Sequence, residues 1–147
     1  MAKHGVKYVI VGGEAVIYYG YARLTGDLDI FYDASKDNVK SLFEALGEFW
    51  QGDIPGIENQ DELLEPGVII QFGVPPNRID LINIIDGVTF QEVWQDKSMA
   101  NMRIEHQDIP VNFIGLDELI RNKQAMRRHK DSEDLKYLTK AGKDKQD

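Results

Sequence analysis

Three aspartates carry the strongest chemical signal in this chain. Asp27 and Asp29 stand one residue apart in "GDLDIF", and Asp80 interrupts the apolar run "RIDLI". Side chains two apart on a strand share a face, so Asp27 and Asp29 project together while Leu28 and Ile30 turn the other way. Two neighbouring carboxylates repel unless a cation lies between them. Oxygen-only ligands suit a hard divalent ion, Mg²⁺ or Mn²⁺. Asp80 is a lone acid in a strand-like stretch, costly to bury without a partner. If its strand lies beside residues 27–33, three carboxylates converge, and three acids fit a two-metal phosphoryl-transfer site. Taken singly, Asp27 is a turn residue after Gly26 and Asp29 a solvent-facing acid; the weight comes from combination with the glycines upstream.

Gly12-Gly13 falls where a strand runs directly into a helix. Glycine lets a backbone approach a phosphate closely, and a helix start offers free N–H groups. A glycine pair by itself reads equally as a tight turn. The fingerprints G-x-G-x-x-G and G-x-x-x-x-G-K-[ST] are both absent, which removes dinucleotide-binding and phosphate-loop readings.

The elements that must position these residues are legible from periodicity. "VKYVIV" (6–11) reads as a buried strand, "EAVIYYGYA" as a short helix closed by Gly20, and "DLDIFYD" (27–33) as a second strand. An amphipathic helix opens near Ser35, with Val39, Leu42, Phe43, Leu46 and Trp50 at helical spacing. Residues 52–66 read as loop with one helical turn at "DELL". Strands 67–74 and 78–85 flank the turn "PPN", and "FQEVWQD" makes a short helix. Residues 102–114 suggest a hairpin at a sheet edge, because Pro110 lacks a donor. Two C-terminal helices span about 115–141, and the tail 142–147 frays. The expected architecture is one α/β (α+β) domain over residues 1–147: a mixed sheet of about five to six strands with flanking helices.

No apolar run is long enough for a membrane span, and the opening "MAKHGVKYVIVGG" lacks the apolar segment and cleavage site of a secretory signal. The cytoplasm is the expected compartment. The absence of cysteine excludes disulfides, thiolate metal sites and cysteine nucleophiles. A net charge of −8 argues against wrapping nucleic acid over the whole surface. "RNKQAMRRHK" (121–130) nevertheless holds five cations and no acid, which reads as a solvated helix face, a local anion site or a partner surface. His4, His106 and His129 have no zinc spacing. Tyr18, Tyr19 and Tyr21 read as packing before they read as a base-stacking platform.

Val11-Gly12-Gly13, then Asp27-Leu28-Asp29, then Asp80 between apolar residues resembles the signature of the polymerase-β-type nucleotidyltransferase superfamily. "RLTGDLDI" (23–30) is most similar to its small bacterial and archaeal forms: antibiotic-modifying enzymes, minimal nucleotidyltransferases and toxin–antitoxin nucleotidyltransferases. The ending "LIRNKQAMRRHKDSEDLKYL" is also similar to their C-terminal helices. The resemblance implies that Gly12 and Gly13 hold the triphosphate of an NTP such as ATP. It makes Asp27 and Asp29 paired metal ligands, and Asp80 the third carboxylate and base for the acceptor hydroxyl. Arg23 and Thr25 lie where they could touch phosphate oxygens, and Lys123 and Lys130 are candidates for further phosphate or acceptor contacts. Glu14 departs from the serine or apolar residue often found there. The implied activity moves a nucleoside monophosphate to a small molecule, an RNA 3′ end or a protein, with a cognate toxin or antitoxin as one partner class. The competing readings are a catalytically silent nucleotide- or partner-binding module and a toxin–antitoxin partner acting through its surface.

Overall fold

A computed structural model describes residues 4–19, 27–74, 78–104, 106–126, 134–136 and 138–140, with Asp27, residues 102–104 and Gln107 described by their backbone. Its strands are β1 (Tyr8–Val11), β2 (Asp27–Tyr32), β3 (Ile69–Phe72), β4 (Arg78–Ile82), β5 (Ser98–Ile104) and β6 (Gln107–Phe113). The helices are α1 (Gly12–Tyr18), α2 (Lys36–Phe49), α3 (Phe90–Gln95) and α4 (Leu116–Met126), with a 3₁₀ turn at Gln60–Leu64. The strands form one mixed sheet in the order β3-β4-β2-β1-β6-β5. This is the expected α+β architecture, with six strands.

β2 lies between an antiparallel neighbour, β1, and a parallel neighbour, β4. The long crossover between β2 and β4 carries α2 and the 3₁₀ turn. Ser35 caps α2 by accepting from Asn38 N–H, as a serine before an apolar-periodic run should. Asn38 then ties three segments together: it accepts from Lys7 N–H at 2.7 Å and donates to the carbonyls of Lys7 and Asp33 at 3.0 and 2.6 Å. The "DELL" turn is held by a capping box between Asn59 and Glu62.

The two sheet faces do different work. One carries Tyr8, Ile10, Ile30, Tyr32, Leu81 and Phe72, alternate residues of β1 to β4. Trp50, at the end of α2, packs on Phe72 with ring centroids 5.7 Å apart, and Tyr32 Oη donates to the Leu63 carbonyl at 2.8 Å. Asn83 joins this buried network by donating to Tyr32 Oη and to the Glu65 carbonyl. The other face presents Val9, Val11, Asp29, Phe31 and Asp80, with Phe90 of α3 edge-on to Phe31 at 5.2 Å.

Three sequence expectations shift. α1 begins at Gly12, so both glycines belong to its first turn. The hairpin starts at Ser98, four residues earlier than its apolar content suggests. Its outer strand is β5; β6 carries Pro110 but meets β1 in register only at Ile10↔Phe113, so the missing donor falls beyond that ladder. Gly20, residues 75–77 and the tail 142–147 lie outside the described residues.

Candidate functional site

Strand register assembles the acids. Val11 pairs with Asp29, Asp29 with Asp80, and Asp80 with Gln71, giving one row across β1, β2, β4 and β3. Directly opposed residues share a face, so Asp29 and Asp80 project side by side. Asp27, two residues before Asp29, belongs to the same face and pairs with Arg78. Its side chain lies outside the described residues, as do Arg23, Thr25 and Lys130.

Gly12 meets this row at close quarters. Its φ is +69°, a conformation that L side chains rarely adopt, and a Cβ there would overlap Asp29 Oδ2. The glycine thus lets the start of α1 pass directly over the carboxylate. Gly12 and Asp29 border a cavity of about 180 Å³ whose wall also includes Ile69, Ile82, Ile85 and Lys123. Gly12, and not Gly13, borders that cavity; Gly13 is buried in the first turn of α1. Glu14 is half-buried in the same turn.

Asp80 is only 6% exposed and carries its own cation. Arg78 Nε lies 3.0 Å from Oδ1 and Nη2 donates to Oδ2 at 3.2 Å, a two-pronged pairing with both carboxylate oxygens. The pattern R-x-D on one strand places both side chains on one face, so Arg78 was legible beside Asp80 although only the acid stood out.

Lys123 reaches the cavity from α4. Leu119, Asn122 and Lys123 are buried on the inward face of that helix, and Asn122 donates to the Asp86 carbonyl at 2.8 Å. Lys123 is 1% exposed, so the basic run 121–130 is not uniformly a solvated face. Its Nζ lies 3.5 Å from Oδ2 of Asp134, equally buried. Tyr18 and Tyr19 pack, with Tyr21 outside the described residues: Tyr18 stacks on Phe113 at 4.1 Å, and Tyr19 Oη donates to the Ile114 carbonyl. His4 bonds Glu48 at 2.6 Å, and His106 occupies an exposed turn at φ +69°.

Among the described residues, no three acids or histidines close up into a ready metal cage. Asp29 and Asp80 still form an oxygen-only pair, with Asp27 on the same face, and oxygen ligands are what a hard divalent cation takes. The donor chemistry fits such an ion at Asp29, which borders the cavity beside Gly12.

The fold, with its six-stranded mixed sheet, has a counterpart among solved structures. The crystal structure of an antigenic nucleotidyltransferase-like protein from Paracoccidioides brasiliensis matches it with a TM-score of 0.53, over 95% of this chain and 69% of that chain, at 16% sequence identity. At that identity the likeness is one of fold. Residues 1–140 match the model of the family DUF6036, described as nucleotidyltransferase of unknown function, and the chain belongs to that family. No curated protein matches it. Among the described residues, no helix is long and apolar enough to cross a membrane.

Proposed function

We propose that this chain is a cytoplasmic, metal-dependent nucleotidyltransferase that moves a nucleoside monophosphate from an NTP to an acceptor hydroxyl. The observation that carries the reading is the register row: Asp29 lies beside Asp80, under Gly12, in a cavity that Lys123 also borders. In the reaction the acceptor oxygen bonds to the α-phosphorus, the bond from that phosphorus to the bridging oxygen breaks, and pyrophosphate leaves. Mg²⁺ or Mn²⁺, which the carboxylates of Asp27 and Asp29 would hold, would supply charge neutralisation for the phosphates and the acceptor oxygen.

The chain's own residues divide the remaining work. Asp27 and Asp29 hold the metal, with Asp80 as the third carboxylate. Asp80 takes the acceptor's proton, and Arg78 holds its carboxylate in place from two directions. Gly12 lets the phosphates approach the backbone with Gly13 buried behind it, Arg23 and Thr25, just before β2 in sequence, contact phosphate oxygens, and Lys123 and Lys130 add cationic contacts. Acceptors of three kinds suit this chemistry: a small molecule, an RNA 3′ end or a protein hydroxyl. A cognate toxin or antitoxin protein is one partner class for such a chain.

One observation favours a second reading, a catalytically silent module that binds a nucleotide or a partner. Arg78 already pairs with Asp80, donating to Oδ2 with its Nε 3.0 Å from Oδ1, which counters the charge of the third carboxylate internally. Calorimetric titration of ATP, GTP, CTP and UTP with Mg²⁺ tests both. Metal-dependent binding that Asp27→Ala/Asp29→Ala abolishes, with turnover lost in Asp80→Ala, supports the enzyme. Binding without turnover of any NTP supports the silent module, and no binding at all refutes the nucleotide site.

A further inference from the structure

The pair formed by Lys123 and Asp134 is the most deeply buried charged contact among the described ion pairs, with both side chains 1% exposed. Burying two charges costs desolvation that their attraction only partly returns, so an apolar pair of similar volume would dock two helices at least as well. Docking is provided for already. Leu119 lies on the inward face of α4, and Leu138, one turn beyond Asp134, is fully buried in the core. What an apolar pair could not supply is an ammonium group at the wall of the cavity that Asp29 and Gly12 share.

We infer that Asp134 is a positioning residue that fixes the Lys123 ammonium toward the Asp29 cavity, making the C-terminal helical segment a working part of the nucleotide site. The inference rests on the proposed nucleotide reading and deepens it. The ligand class is the polyphosphate of an NTP, whose negative charge meets the carboxylates of Asp29 and Asp86 in the wall of this cavity. Three features aim the lysine. Asn122, its neighbour on α4, anchors the helix to the Asp86 carbonyl at 2.8 Å. Ile82 and Ile85 wall the cavity with aliphatic surface, and among the described lining residues Lys123 is the cation that shares it with the acids Asp29 and Asp86. Asp134 Oδ2 then sits 3.5 Å from Nζ, close enough to restrict where the long side chain can place its head.

The test separates docking from positioning. Lys123→Met/Asp134→Leu replaces the pair by apolar side chains, and Asp134→Asn keeps the shape of the acid without its charge. Each protein is melted, then titrated with Mg²⁺ alone and with ATP, GTP, CTP and UTP in the presence of Mg²⁺. The expected result is a double variant that melts within a few degrees of wild type and binds Mg²⁺ alone as before, but binds the preferred NTP at least tenfold more weakly. Asp134→Asn should weaken the same NTP several-fold while leaving Mg²⁺ binding unchanged. Wild-type NTP affinity in the folded double variant overturns the inference while leaving the nucleotide reading intact. If the double variant does not fold, undiminished NTP affinity in Asp134→Asn overturns it instead. Wild-type protein that binds none of the four overturns the nucleotide reading and the inference together.

Discussion

Gly12→Ala is the sharpest perturbation the site offers, because it asks two separable things of the chain. The first is backbone strain. Gly12 sits at φ +69°, and placing an L residue in the left-handed region costs about 1–2 kcal/mol. The second is contact: the new methyl would overlap Asp29 Oδ2 and lie 3.2 and 3.3 Å from Asp29 Cγ and Cβ. Those distances are too tight for the carboxylate to stay, and forcing an extra methyl into a packed site adds roughly 1–3 kcal/mol. Gly67→Ala isolates the first effect, since Gly67 has φ +80° with nothing within 4 Å of a built Cβ. For a domain of this length, each kcal/mol moves the melting temperature by about 3 °C. Gly67→Ala should therefore melt about 3–6 °C below wild type, and Gly12→Ala several degrees lower again. Only Gly12→Ala displaces Asp29, so only it should lose affinity for Mg²⁺ and for the preferred NTP, by about tenfold or more. Calorimetric melting and titration of both variants read the two effects independently. A Gly12→Ala protein that melts with Gly67→Ala and binds Mg²⁺ as wild type would refute the close approach of α1 to Asp29.

Two further perturbations follow from buried carboxylates. Arg78→Met takes the guanidinium from the buried Asp80 carboxylate and should cost about 3 kcal/mol, the lower end of the range for a broken buried pair because the Arg78 side chain is 30% exposed; Arg78→Met/Asp80→Leu should recover most of the loss in urea denaturation, and failure to recover would mean the pair is not what holds Asp80. Burial, followed by a hydrogen bond with Asp96, pushes the Glu118 carboxyl above its ordinary value of 4.5. The folded state thus keeps a proton that the unfolded chain has released, so this contribution to stability is complete below pH 4.5 and fades as pH rises through the folded value. Glu118→Gln should remove that decline, gaining relative to wild type in urea midpoints as pH rises above 4.5, whereas parallel curves would contradict it.

Much of this fold could be read from periodicity. The runs 6–11, 27–33, 67–74 and 78–85 each contain an observed strand, and Asn59/Glu62 and Thr89/Glu92 form capping boxes that their spacing announces. What periodicity cannot supply is neighbourhood. The parity of Asp27 and Asp29 is local, but the approach of Asp80 depends on β4 returning parallel to β2 after a long crossover, and nothing in either strand states that register. The start of β5 was hidden for a different reason: "SMAN" offers no β-branched or aromatic residue, and its pairing is imposed by β6. Lys123 was equally ambiguous. Within a run of five cations it resembles a solvated charge, and only the packing of α4 and the approach of Asp134 distinguish it from the exposed Arg121.

The division of labour between the sheet faces explains why the acid row can be held so closely. The crossover that brings β4 beside β2 is secured on the opposite face, where Tyr32, Asn83 and the Leu63 carbonyl hydrogen-bond to one another and Trp50 lies on Phe72. That network spends buried polar groups on register, which fixes Asp80 opposite Asp29 without occupying the face that carries them. The acid face is then free to receive α1 across Gly12, α3 through Phe90 and α4 through Lys123, three elements that reach β2 from different parts of the chain. β2 is laddered on both sides, so Asp29 cannot slide along the row without breaking pairing to β1 and β4 together. Side-chain changes on the anchoring face should therefore act through stability, and those on the acid face through the position of a single carboxylate.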